Sequence, residues 1–147
     1  MITLMKLHPE DAFQVAELEK MCFSTPWSEK SIASELENDL ALWLVAVENE
    51  TVVGYVGSQT VCGETDMMNV AVHPNWRRKG IAEQLIHRLI TELKKMESTC
   101  LSLEVRASNA PAIALYQKLD FRVAGRRPNY YRNPKEDALI LRKEWEV

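Results

Sequence analysis

Between residues 81 and 93, the apolar residues Ile81, Ala82, Leu85, Ile86, Leu89, Ile90 and Leu93 recur every three to four positions. They make one face of a helix, the clearest periodic signal in the chain. From residue 100 the period drops to two. Leu101, Leu103 and Val105 face one way and Ser102, Glu104 and Arg106 the other, which predicts a half-buried strand over 100–106. Upstream, "ITLMKL" (2–7) predicts a strand. "HPEDAFQVAELEKMCF" predicts a helix opened by Pro9-Glu10-Asp11, with Phe13, Ala16, Leu18 and Met21 at roughly helical spacing. "STPWSEKSIASELEN" gives a second short helix capped by Ser28. Two β-rich runs in "ALWLVAVENETVVGYVGSQTV" turn around Glu48-Asn49-Glu50 as a hairpin, and "TDMMNVAV" (65–72) is a third run stopped by His73-Pro74. After the 100–106 strand, "NAPAIALYQKL" (109–119) reads as a short helix capped by Asn109 or Ser108, with Pro111 in its first turn. "FRVAG" and "DALILRKEW" finish as strands. The sum is an α+β or α/β fold with a mixed, mostly antiparallel sheet flanked by helices. The helix crossing from 72 to 100 makes that strand pair parallel.

Composition narrows the class. The 147 residues suit one domain over 1–147, and no repeat, low-complexity stretch or linker divides them. Hydrophobic residues at 46% and charged residues at 27% give a soluble globular balance. A net charge of −3 does not suit a chain built to coat nucleic acid or an anionic membrane, so any basic function must be local. The longest apolar run, "LALWLVAV" at 40–47, is far too short to span a bilayer, and "MITLMKLHPED" lacks the features of a secretory leader. The expected location is the cytosol. Cys22, Cys62 and Cys100 are odd in number and widely spaced, and the three histidines stand far apart. Reduced thiols and no metal site are expected.

One stretch carries candidate chemistry. In "HPNWRRKGIAEQL" (73–85), Arg77, Arg78, Lys79 and Gly80 stand at the start of the amphipathic helix. A helix N-terminus leaves backbone N–H groups unpaired and suits a phosphate, and Gly80 lets the backbone approach it. A basic, solvated turn explains the same residues. Neither the glycine-rich dinucleotide fingerprint nor a P-loop is present among the five glycines.

Arg77-Arg78-Lys79-Gly80-Ile81-Ala82 resembles the arginine/glutamine-x-x-glycine-x-glycine/alanine signature of the GCN5-related N-acetyltransferases (GNAT). "SNAPAIALYQKLDF" is similar to that family's second block, through Asn109, Ala112, Leu115, Tyr116 and Phe121. "FSTPWSEKSI", "LEVRASNAPAIALY", "GRRPNYY" and "EDALIL" closely resemble the RimI-type branch, the bacterial ribosomal-protein alanine N-acetyltransferases. The resemblance covers nearly the whole chain. It implies the GNAT fold, an α+β twisted sheet splayed between the strands at about 65–72 and 100–106. Asp120 takes the place of the family's usual glycine, at a turn that wants a left-handed residue.

The resemblance also implies a reaction: transfer of the acetyl group of acetyl-CoA to a protein's N-terminal α-amine. The acceptor it implies is the N-terminal alanine of ribosomal small-subunit protein eighteen. Glu104 would be the base, directly or through a water, and Tyr116 the acid. Read alone, Glu104 is equally an ordinary strand glutamate and Tyr116 an amphipathic core tyrosine. Acetyl-CoA contacts are implied at Arg77, Arg78, Lys79, Gly80, Ile81, Ala82 and Glu83, with backbone groups of Val70, Ala71 and Val72 along the pantetheine arm. Asn109 is a helix cap, a cofactor contact or both. Trp27, Tyr130 and Tyr131 are acceptor-side candidates or satellite core. Two rival functions remain: acetylation of a small amine or lysine side chains, and a non-catalytic acyl-CoA-binding module, since a fold does not fix a function.

Overall fold

The computed structural model describes residues 1–146. Strand β1 (Thr3–Lys6) leads through a 3₁₀ turn to helix α1 (Ala12–Cys22) and helix α2 (Glu29–Glu35). The Ser28 hydroxyl accepts from the Ser31 N–H and caps α2, as the sequence predicts. Strands β2 (Ala41–Glu48) and β3 (Thr51–Val61) form the expected hairpin. Asn49 and Glu50 both take positive φ there, the geometry that matches the twist of a two-residue hairpin. Strand β4 (Glu64–Val72), helix α3 (Ile81–Lys95), strand β5 (Cys100–Arg106) and helix α4 (Ala110–Lys118) follow. The hairpin β6 (Arg122–Tyr131) and β7 (Glu136–Glu144) ends the fold. Among the described residues, no helix is long and apolar enough to cross a membrane.

The sheet order is β1-β2-β3-β4-β5-β7-β6, and among the described residues only the β4–β5 pair is parallel. Alternation along β2 sends Leu44 and Ala46 into one hydrophobic cluster and Trp43 and Val45 into another, so the sheet has a core on each face. The stripe on α3 fills the first, where Leu85, Ile86, Leu89 and Leu93 are fully buried. Helices α1 and α2 close the second, through Val15, Leu18 and Ile32.

Two elements differ from expectation. Helix α1 buries Ala12, Val15, Ala16, Leu18 and Glu19, while Phe13 and Met21 face solvent. The set 12, 15, 16 and 19 is the true i, i+3, i+4, i+7 stripe, and it ends on an acid. Strand β6 runs ten residues, well past "FRVAG". It is a sheet edge with bulges and a proline, so it shows neither alternation nor a buried run. Asp120 adopts φ 71°, the left-handed turn expected of it.

The feature that makes a site is the parting of β4 from β5. Their ladder lasts only from Glu64↔Cys100 to Asp66↔Ser102. Beyond it, Ser58 pairs Met67 and Gly57 pairs Asn69, leaving Met68 as the extra residue of a bulge. The bulge bends β4 away while β5 stays on β7. Gly57 is also where Trp43 lies flat on the sheet. A Cβ there would come within 2.5–2.7 Å of the indole ring. Gly57→Ala is expected to destabilise the fold by about 1–3 kcal/mol, read as a lower urea midpoint.

Candidate active site

Between the parted strands lies a cleft of about 600 Å³. Met67–Val70 of β4 form one wall and Leu103–Arg106 of β5 the other. Cys22 at the end of α1, the α1–α2 linker (Phe23–Thr25 and Trp27), Asn109, Ala112, Tyr116 and the Tyr130–Arg132 corner complete it. Seven of the residues singled out from the sequence therefore share one cavity: Trp27, Val70, Glu104, Asn109, Tyr116, Tyr130 and Tyr131.

Glu104 enters from the solvent-facing row of β5. Its carboxylate sits 3.4 Å from Arg127 Nε, and its presence beside Tyr130 raises the pKa of that phenol. Tyr116 comes from α4, its ring 5% exposed and edge-on to Phe121 at 5.5 Å. Its hydroxyl makes no hydrogen bond to any described residue, and no buried polar atom among them lacks a partner. The hydroxyl is thus open to the cleft. Burial, then the nearby Tyr131, pushes the Tyr116 pKa above the ordinary phenol range. Tyr131 is pushed up to about 12 by burial, then by Glu104. Three phenols and a carboxylate are thereby gathered in one partly dry space.

Arg106 braces the corner. Its guanidinium donates to the carbonyls of Arg132 and Pro134, pairs with Glu136 at 3.4 Å, and lies 4.5 Å from the Tyr131 ring centroid. Glu136 in turn accepts from the Ser108 N–H, just ahead of α4. Asn109 caps α4 by accepting from the Ala112 N–H, and it lines the cleft as well. Trp27 is likewise both: its ring is edge-on to Trp43 at 5.3 Å and lines the cleft.

The basic loop stands outside this cavity, joined to it through Cys22, whose Sγ is 3.5 Å from Arg77 Nη2. Arg78 and Gly80 both hold left-handed backbone (φ 64° and 75°), and Gly80 is the N-cap of α3 with no side chain to serve the first-turn amides. The N–H groups of Ile81, Ala82 and Glu83 are left without intrahelical partners, an arrangement that could hold an anion. Around them, Lys79 lies over the Trp76 ring, and Arg77 Nε donates to the Val72 carbonyl, so that carbonyl is partly engaged. Glu83 points its carboxylate elsewhere, to Lys118 at 3.2 Å and His87 at 3.8 Å. Any ligand contact from Glu83 falls to its backbone. Ala71 and Val72 complete β4 beyond the cleft wall.

Sequence reasoning missed Glu19. Its side chain is fully buried at the end of α1, where Oε1 accepts from the Trp27 N–H (2.8 Å) and Oε2 from Asn69 Nδ2 (2.9 Å) and the Tyr55 hydroxyl. Burial, then this carboxylate, raises the Tyr55 pKa. The available signal was its place on the apolar stripe of α1.

A model of the acetyltransferase (GNAT) family matches residues 12–121. The ribosomal protein bS18-alanine N-acetyltransferase of Escherichia coli (strain K12) is 38% identical over 143 residues, 96% of each chain. The enzyme of that name from Salmonella typhimurium (strain LT2) is 38% identical over 144 residues, again 96% of each. The crystal structure of the ribosomal-protein-S18-alanine N-acetyltransferase from Escherichia coli superposes with a TM-score of 0.92 at 36% identity, covering 100% of this chain and 96% of that one.

Proposed function

Since the chain belongs to the acetyltransferase (GNAT) family, and to its RimI-type branch, we propose that it moves the acetyl group of acetyl-CoA onto the N-terminal alanine of ribosomal protein bS18. The observation that carries the reading is the convergence of Glu104 and Tyr116 in the cleft where β4 leaves β5. The left-handed Gly80 and uncapped α3 suit the pyrophosphate, and the free edge of β4 suits the amide-bearing pantetheine arm. The acid and base that the reaction needs are then both supplied by residues of the cleft. The α-amine nitrogen attacks the thioester carbonyl carbon, a C–N bond forms and the C–S bond breaks. Glu104 takes the amine proton, directly or through a water, and Tyr116 donates to the departing sulfur.

A peptide α-amine has a pKa of about 7.7–8.0 against about 10.4 for lysine, so it is more often neutral and easier for a carboxylate to deprotonate. The cleft is also walled by the Trp27 linker and the Tyr130–Tyr131 corner, which suits a chain terminus. The test is mass spectrometry on a peptide that starts with alanine and contains internal lysines. Acetylation of the terminus is expected. Acetyl groups mainly on lysine, or only on an added polyamine, would overturn the acceptor while leaving the acetyltransferase.

The loop gives a separate prediction. A Cβ on Gly80 would meet only Gln84 Nε2, at 4.0 Å, so the space is open in the free protein and the constraint there is the left-handed backbone. Gly80→Val should cost about 1–2 kcal/mol of stability and should lower CoA affinity, because the branched side chain stands where phosphate meets the amides. Calorimetry on the folded variant checks it, and unchanged CoA affinity would remove the loop from the site.

A further inference from the structure

Three donors converge on the buried Glu19 carboxylate: the Trp27 N–H, the Tyr55 hydroxyl and Asn69 Nδ2. Two of these belong to residues that line the cleft, one from each of its neighbouring walls. A carboxylate accepts only, so it settles which way the Asn69 amide lies: Nδ2 toward Glu19, Oδ1 away. Oδ1 accepts no hydrogen bond from any described residue, yet no buried polar atom among them is left unsatisfied. It therefore opens onto solvent. Asn69 itself follows directly on the bulge at Met68, at the place where β4 has lost β5 as a neighbour.

Resting on the acetyltransferase reading above, we infer that Asn69 Oδ1, aimed by Glu19, is the hydrogen-bond acceptor that receives the amino group of the incoming chain terminus. Asn69 is then a specificity residue for the acceptor, and Glu19 a positioning residue that never touches it. The same carboxylate fixes the Trp27 backbone, so one buried group sets both the linker and the amide. A neutral carbonyl suits the task. It can orient an amine by its N–H without competing with Glu104 for the proton.

Replacing Glu19 by glutamine tests this through the polarity of the amide. The introduced side chain must still accept from the Trp27 N–H, which turns its own –NH₂ toward Asn69. Asn69 must then present its oxygen to that –NH₂ and its own –NH₂ to the cleft. A donor would face a donor. Leaving a polar group facing one of its own kind, without its hydrogen bond, costs about one to two orders of magnitude in affinity. Glu19→Gln should therefore raise KM for an alanine-start peptide by about 10- to 100-fold, with acetyl-CoA affinity by calorimetry unchanged. The double variant Glu19→Gln/Asn69→Asp restores an acceptor on the cleft side, keeps the total charge, and should recover most of the loss. A purely structural role predicts no such rescue. Should Glu19→Gln fail to fold, Asn69→Ala reads the same contact by its peptide KM. Normal peptide KM in a folded Glu19→Gln or Asn69→Ala protein, or failure of the double variant to recover, overturns the assignment. If the unaltered protein acetylates no peptide terminus, the acceptor reading falls first and this assignment with it.

Discussion

Glu104→Gln is expected to lower turnover on an alanine-start peptide by about 10²–10⁴-fold, the span typical of a general base, with acetyl-CoA affinity close to normal. Glutamine keeps the shape of the side chain and an oxygen that can accept from Arg127, the group that pairs with Glu104. What it lacks is basicity. The substitution therefore separates the base from the anchor. A drop in kcat at constant peptide KM is the signature of an interaction made only in the transition state. Turnover within a few-fold of normal would leave Glu104 as the strand glutamate that ties the β6 corner to β5.

The parts of this site differ in how openly the sequence carries them. The α3 stripe and the alternation in Cys100–Arg106 are periodic, and periodicity is visible in one sequence, so Glu104 falls on the right face of the right strand. The left-handed turn at Asp120 was anticipated through the resemblance, which puts a glycine there, whereas the left-handed backbone of Gly80 is a finding of the structure. The parting of β4 and β5 does not. It depends on a bulge at Met68 and on β5 preferring β7, both long-range pairings, and only the family resemblance anticipated it. The Tyr130–Tyr131 corner likewise came only from the resemblance, for a related reason: an edge strand with bulges has no buried row to give it a period. Glu19 was missed because an acid in a helix ordinarily marks its wet face. Here Ala12, Val15 and Ala16 fix the buried face, and the acid three residues on from Ala16 lies on it. Its partners come from 8, 36 and 50 residues away, so nothing local announces them.

Tyr116→Phe is the other variant expected to act on rate, toward the lower end of about 10²–10⁴-fold. The reason lies in the direction of its pKa. Burial holds the phenol protonated to above its ordinary value of about 10, whereas an alkyl thiol such as cysteine has a pKa of about 8.5. Full proton transfer to the leaving sulfur is then uphill, and the contribution of Tyr116 is a hydrogen bond that strengthens as charge gathers there. Two consequences can be read separately. The protonated donor is present throughout the range below its raised pKa, so the pH–rate curves of Tyr116→Phe and the unaltered protein should run parallel between about pH 7 and 9. A thioester with a more acidic thiol needs less help, so the variant's deficit should shrink toward unity with an aryl thioester. A deficit of the same size with both thioesters would assign Tyr116 to packing on Phe121 rather than to the departing sulfur.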